Sequence, residues 1–263
     1  MKNFNEAVEN IVAMFTEEKF PAQLARVLIK RADNDTEKPS DRWSILNQLI
    51  MLNTGKTTDA RTYKQWNEVG RYVKKGAKAF QIIAPIVKKV KTEDDEEEAR
   101  LIGFRGMSVF AVENTDGKDI AIADYTPKSV DINAEKLIRI TEKLGCTVSY
   151  LPYGGKVLGT YHPLERKIML RSEDYDVLAH EVGHFLHDVT EGINSVDRNT
   201  AEVIAELTSA VLCEMNGVHG YERQSFNYIR EYSHSNDAKA VIRAVNKVLA
   251  TVEKSIAVIL DNQ

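Results

Sequence analysis

Leu178-Ala179-His180-Glu181-Val182-Gly183-His184-Phe185 is the stretch from which the rest of the chain is read. Residues 176–188 contain no proline. Val177, Leu178, Val182, Phe185 and Leu186 set apolar positions around the two histidines, which predicts a helix. Helical residues four apart share a face. His180 and His184 can therefore turn both imidazoles toward one ion. Glu181 is rotated by about 100° from His180 and can reach a water on that ion. Zinc suits two neutral imidazoles, and with a third protein ligand it keeps one position open for water. It lowers the pKa of that water to about 7, so a nearby carboxylate can take the proton as the water attacks a carbonyl.

So short a motif needs a third ligand, and the next helix offers one. Asp197, Asn199 and Thr200 form a capping run, and Gly217 closes the apolar pattern. Between His184 and Glu202 there is room for the first helix to end near Gly192 and for a second to pack back. Glu191 and Asp197 are alternative ligands, in the expected turn. Glu206 lies one turn beyond Glu202 and can accept a hydrogen bond from the second nitrogen of a ligating histidine. The combination resembles a gluzincin metallopeptidase site, the thermolysin-like ligand set. The bland alternative is two packed histidines on an apolar face.

The 263 residues allow one large or two modest domains, and 43% hydrophobic residues permit sizeable cores. The net charge of −4 argues against a chain that is basic throughout. Cys146 and Cys213 stand far apart in no paired motif, so a disulfide framework is not expected and a reducing cytoplasm is. Glu6, Glu9, Glu17 and Glu18 do not suit a signal peptide. No apolar run approaches the ~18 residues of a membrane span, so no membrane partner is expected.

Residues 4–31 read as two helices divided near Pro21, and residues 43–50 as a third apolar helix ending near Gly55. Residues 59–91 differ in charge from the rest. They hold Arg61, Lys64, Arg71, Lys74, Lys75, Lys78, Lys88, Lys89 and Lys91, with Glu68 the only acid after Asp59. Tyr63, Trp66, Tyr72 and Phe80 are interleaved. Such a pattern suits single-stranded nucleic acid, because cations pair with phosphates and rings stack on bases. The plain alternative is that Trp66 and Phe80 are core and the lysines solvate a surface. Residues 63–69 read as a short helix ended by Gly70. Residues 80–90 and 101–112 read as a strand and its return, around an acidic tip.

Trp43-Ser44-Ile45-Leu46-Asn47, Ala60-Arg61-Thr62-Tyr63-Lys64-Gln65-Trp66 and Val73-Lys74-Lys75-Gly76-Ala77-Lys78-Ala79 resemble the amino-terminal domain of ArdC-type antirestriction proteins. Phe104-Arg105 with Val109-Phe110-Ala111-Val112 resembles its return strand. That family joins a single-stranded-DNA-binding domain to a zincin-like metallopeptidase domain, in this order. The resemblance implies an α+β protein: residues 1–120 as the DNA-binding domain and residues 128–263 as the metallopeptidase domain. It implies binding of single-stranded DNA by residues such as Lys74, Lys75 and Lys78.

The polar stretch 113–127, with Asp116-Gly117, is read as the link. An amphipathic helix is expected over 130–144 and short strands over 147–151, 156–161 and 167–171. His162 is read as surface or structural. Tyr228, Tyr232 and His234 are candidate oxyanion donors, with Tyr228 placed first. Phe185-Leu186-His187-Asp188 departs from the Trp-Thr-Gly-His run of many ArdC-type sequences, and the following turn is shorter and acidic. There the chain also resembles ImmA/IrrE-type regulatory peptidases. The expected function is a zinc peptidase acting on a protein substrate, with Glu181 as general base and zinc on His180, His184 and Glu202. Two alternatives are a DNA-binding inhibitor with a structural or idle zinc, and a site-specific regulatory protease that does not bind DNA.

Overall fold

The computed structural model describes residues 9–11, 13–14, 20–32, 38–91, 97–120, 130–152, 157–218 and 238–263. Helix α1 (Phe20–Ala32) has Pro21 in its first turn, where no N–H is needed, and Lys30 and Arg31 in its last, beside the negative end of the helix dipole. A 3₁₀ turn (Pro39–Arg42) leads into α2 (Ile45–Asn53), where the Ser44 hydroxyl accepts from the Asn47 N–H. Every α2 residue from Ile45 to Met51 is buried, as expected of a helix set inside a core.

Strand β1 (Ala60–Arg61) is followed by α3 (Tyr63–Glu68), which opens on a reciprocal cap between Thr62 and Gln65. Next come β2 (Arg71–Val73), β3 (Phe80–Lys91), β4 (Glu97–Ala111) and β5 (Thr115–Gly117). β1, β4 and β3 form an antiparallel sheet in that order, with a register shift between Ile86 and Val87. Thr115–Gly117 lies in the stretch read as the link, yet it pairs with β2, Tyr72 opposite Asp116. Gly117 has φ 123°, and a Cβ there would stand 2.5 Å from the Gly70 carbonyl oxygen. Only glycine fits that approach.

The remaining elements position the candidate site. Asn133 caps α4 (Ala134–Lys143) by accepting from the Lys136 N–H. β6 (Thr147–Tyr150), β7 (Gly159–His162) and β8 (Lys167–Leu170) form a sheet in the order β6-β8-β7. β6 runs parallel to β8 and β7 antiparallel to it, which leaves β7 on an edge, against helix α5 (Tyr175–Glu191). α6 (Arg198–Met215) packs back on α5, and α7 (Ala238–Asp261) covers both. Helix α1 packs on α6 and α7, so buried apolar side chains from Ile11 to Ile259 form one cluster. Among the described residues no helix is long and apolar enough to cross a membrane.

Candidate metal centre

The i,i+4 spacing on α5 brings the His180 and His184 Nε2 atoms to 3.2 Å from each other. Each is 3.5 Å from the same atom, Glu202 Oε2 on α6. Two donors about 2.05 Å from an ion and at the tetrahedral angle are about 3.3 Å apart. The 3.2, 3.5 and 3.5 Å triangle therefore has the size of one face of a tetrahedron around a single ion. Among the described residues this is the one cluster of three such side chains. Its side chains are 28%, 15% and 43% exposed, so the centre lies at a surface opening where a fourth ligand can enter.

The helix pairing that makes this triangle depends on a glycine. A Cβ at Gly183 would stand 2.7 Å from the Ala205 carbonyl oxygen and 2.9 Å from its Cα. The two backbones touch there, one turn from Glu202. Glu191 and Asp197, the alternative ligands, are engaged elsewhere. Glu191 accepts from Lys254 at 2.7 Å and from Thr251 at 3.1 Å. Asp197 caps α6, accepting from the Thr200 N–H at 3.0 Å and its hydroxyl at 2.6 Å.

The centre is electrostatically paired as it stands. Hydrogen bonds from His180 and His184 hold the Glu202 carboxyl far below the usual carboxylate range. Burial pulls the His180 imidazolium down, but the Glu202 hydrogen bond and the charges of Glu181, Glu202 and Glu206 outweigh it, and its pKa is raised. A divalent cation held by the three side chains would place positive charge beside Glu202. Glu206 sits half-buried one turn from Glu202.

Glu181 is 7% exposed beside the two histidines. Burial raises its carboxyl, against the pull of His180, His184 and a hydrogen bond from the Tyr161 N–H. Edge strand β7 forms its cradle: a Cβ on Gly159 would lie 2.8 Å from Glu181 Cγ and Oε1. The sequence reading missed Gly159 and Tyr161. A glycine inside a strand pattern, a mark of close backbone approach, was the available signal. The Tyr161 hydroxyl donates to Asp188 Oδ2 at 2.6 Å, and Asp188 Oδ1 accepts from the Ile193 N–H at 3.0 Å, which ties β7 to the end of α5. His187 is buried, its Nε2 3.1 Å from Ser195 Oγ, so it is neither a ligand nor a surface residue. His162 ends β7 with a buried Nε2, a structural placement. Tyr228, Tyr232 and His234 lie outside the described residues.

Burial divides the side chains of the basic segment. Trp66 is fully buried and donates from Nε1 to the Phe110 carbonyl at 2.9 Å, so no base can stack on it. Arg61 is buried, held by Asp59 through two hydrogen bonds of 3.1 and 2.8 Å and packed 4.8 Å over the Trp66 ring. The Arg71 guanidinium is spent on Thr115 and the Lys118 carbonyl. Lys64 is exposed, 3.7 Å from Glu68, and Lys74 lies 3.3 Å from Asp116. Lys75 and Lys78 are exposed, as are Tyr63 and Tyr72. Alternation of charge and aromatic residues cannot tell a stacking ring from a core ring; tertiary burial decides that.

The fold and centre define an α+β protein with a candidate mononuclear metal site on a helix pair. Residues 30–110 match the family model described as the N-terminal domain of anti-restriction factor ArdC. The whole chain has the fold of the antirestriction protein ArdC of plasmid R388. The metal-free crystal structure of that protein aligns with a TM-score of 0.59 at 17% identity, covering 100% of each chain. Its Mn(II)-bound structure aligns with a TM-score of 0.58 at 17% identity, covering 98% of this chain and 97% of that one. No curated protein matches the chain. Residues 30–110 are thus an ArdC-type amino-terminal domain, carried on a chain of ArdC fold throughout.

Proposed function

We propose that this chain is an antirestriction protein of the ArdC type that binds single-stranded DNA and hydrolyses peptide bonds of a protein substrate in the cytoplasm. The division of labour follows the residues 1–120 and 128–263 read from the sequence. The observation that carries the enzymatic part is the donor triangle of 3.2, 3.5 and 3.5 Å on His180, His184 and Glu202. Two imidazoles and a carboxylate suit zinc, and the R388 protein with Mn(II) bound supports a divalent ion in this fold.

When bound, zinc would polarise the scissile carbonyl and acidify a water. Glu181 supplies the rest. Its carboxylate, fixed against β7 by the Tyr161 N–H, accepts the water proton and delivers it to the leaving amine. Burial favours the protonated form between these two transfers. Glu206 adds negative charge beside His180, which strengthens that imidazole as a ligand. Tyr228 is the proposed oxyanion donor. For the DNA-binding part, exposed Lys64, Lys75 and Lys78 are the phosphate contacts.

Glu181→Gln tests the enzymatic reading. The expected outcome is unchanged metal content with loss of cleavage of a protein substrate. Full biological effect in the variant would favour a DNA-binding inhibitor with an idle metal.

A further inference from the structure

A cavity of about 600 Å³ lies where the amino-terminal sheet meets α7, remote in sequence from the histidine helix. That volume is within the roughly 300–1,000 Å³ of small-ligand sites. Trp43 and Phe104, both half-buried, give it two aromatic surfaces, and Ile82, Leu46 and Leu249 are among its apolar lining. Asn47 also lines it, but its amide is consumed: Nδ2 donates to the Ile83 carbonyl at 2.8 Å and Oδ1 accepts the Ile83 N–H at 2.9 Å. Ser44 and Asn246 are the other uncharged polar side chains of the lining, so the cavity combines aromatic and apolar walls with few hydrogen-bonding groups. Its charged lining is Arg31, Arg42 and Glu253. Arg31 pairs with Glu253 and donates to the Trp43 carbonyl, so these two cancel. Arg42, exposed, leaves the lining one positive charge in excess. Pro85 lines the cavity too, and the same strand continues outward to exposed Lys88 and Lys89.

We propose that this cavity receives a nucleobase of a single-stranded nucleic acid, stacked on Trp43 and Phe104, with its phosphate toward Arg42 and the adjoining backbone along Lys88 and Lys89. The proposal rests on the strand-binding reading above and gives it the stacking residues that buried Trp66 cannot supply. Because every base has a π face, the site tolerates any sequence. The ligand closes onto α7 through Leu249 and Glu253, so a bound strand contacts the helix that also packs on α5.

The chain has two tryptophans, and Trp66 is fully buried, so a change in tryptophan emission on binding reports Trp43. The full chain is titrated at low salt with oligothymidylate, with an abasic strand of equal length, and with thymidine 5′-monophosphate. Fluorescence and anisotropy of labelled strand are both read. Oligothymidylate is expected to quench the emission and to bind more tightly than the abasic strand, by about 5- to 150-fold. Trp43→Phe removes the quench, Phe104→Leu weakens only the base-dependent part, and the surface variant Arg42→Ala weakens both strands alike and lowers the salt dependence of binding. Equal binding of both strands with Trp43 emission unmoved overturns the cavity proposal and leaves strand binding standing. No binding of either strand ends both. A quench by the mononucleotide but not by the strand assigns the cavity to a free nucleotide and overturns the proposal as stated.

Discussion

Gly183 and Ala205 are in backbone contact, the Gly183 side bare because a Cβ would stand 2.7 Å from the Ala205 carbonyl oxygen. This contact sets the spacing of α5 and α6, and with it the distance from Glu202 to the histidine pair. Gly183→Ala must push the helices apart. It is expected to cost about 1–3 kcal/mol of stability and to lower metal affinity by about tenfold or more. Thermal unfolding and a competitive metal titration check both. A variant that is as stable and binds metal as tightly as the native chain would remove the contact from the account.

The pH dependence of metal affinity follows from His180. Burial lowers its pKa, yet the Glu202 hydrogen bond and neighbouring acids lift it above the ordinary 6.5. Metal and proton compete for the same nitrogen. Affinity should therefore already decline at a pH above that at which an ordinary histidine titrates. Glu202→Gln removes the lifting hydrogen bond, so its weaker affinity should begin to decline at lower pH. Metal titrations across pH 5.5–8.5, about the range in which histidines titrate, measure the two curves. Coincident midpoints would refute the pairing.

Tyr161→Phe deletes the 2.6 Å bond to Asp188 and little else. A hydrogen bond to a charged acceptor contributes about 1.5–3 kcal/mol, and the variant is expected to lose about that much stability. Metal stoichiometry should be unchanged, since the donor triangle lies on α5 and α6. Chemical denaturation with metal analysis separates the two effects.

In the amino-terminal domain, burial divides the cations into two groups. Lys75→Ala and Lys78→Ala should each reduce the slope of log affinity for single-stranded DNA against log salt by about 1, with stability untouched. Trp66→Ala should instead cost about 3–5 kcal/mol, as expected for a fully buried ring. Should Trp66→Phe, which keeps the core filled, abolish DNA binding while Lys75 and Lys78 variants do nothing, the assignment of contacts would be reversed.

The meeting of His180, His184 and Glu202 was legible because periodicity governs it: i,i+4 puts His180 and His184 on one face, and α6, begun at the Asp197 cap, packs back to bring Glu202 to them. The α+β composition and most elements followed from the same periodicities and from their punctuation, Gly70 after α3 and Asn133 before α4. The errors came where long-range contacts decide. Trp66 and Arg61 read as a nucleic-acid face, but Phe110 and Asp59 claim them for the interior. Asp116-Gly117 reads as a linker, but β2 takes it as a partner. Gly159 looks like any strand glycine until Glu181 is seen against it.

Metal content per chain, measured on native protein and on His184→Ala, Glu202→Ala and Glu181→Gln, tests the central claim most directly. A single tetrahedral site predicts about one zinc per native chain and per Glu181→Gln chain, and none in the other two variants. Retention of zinc by Glu202→Ala would move the third ligand elsewhere. A native chain that takes up no metal even when zinc is added back would contradict the account.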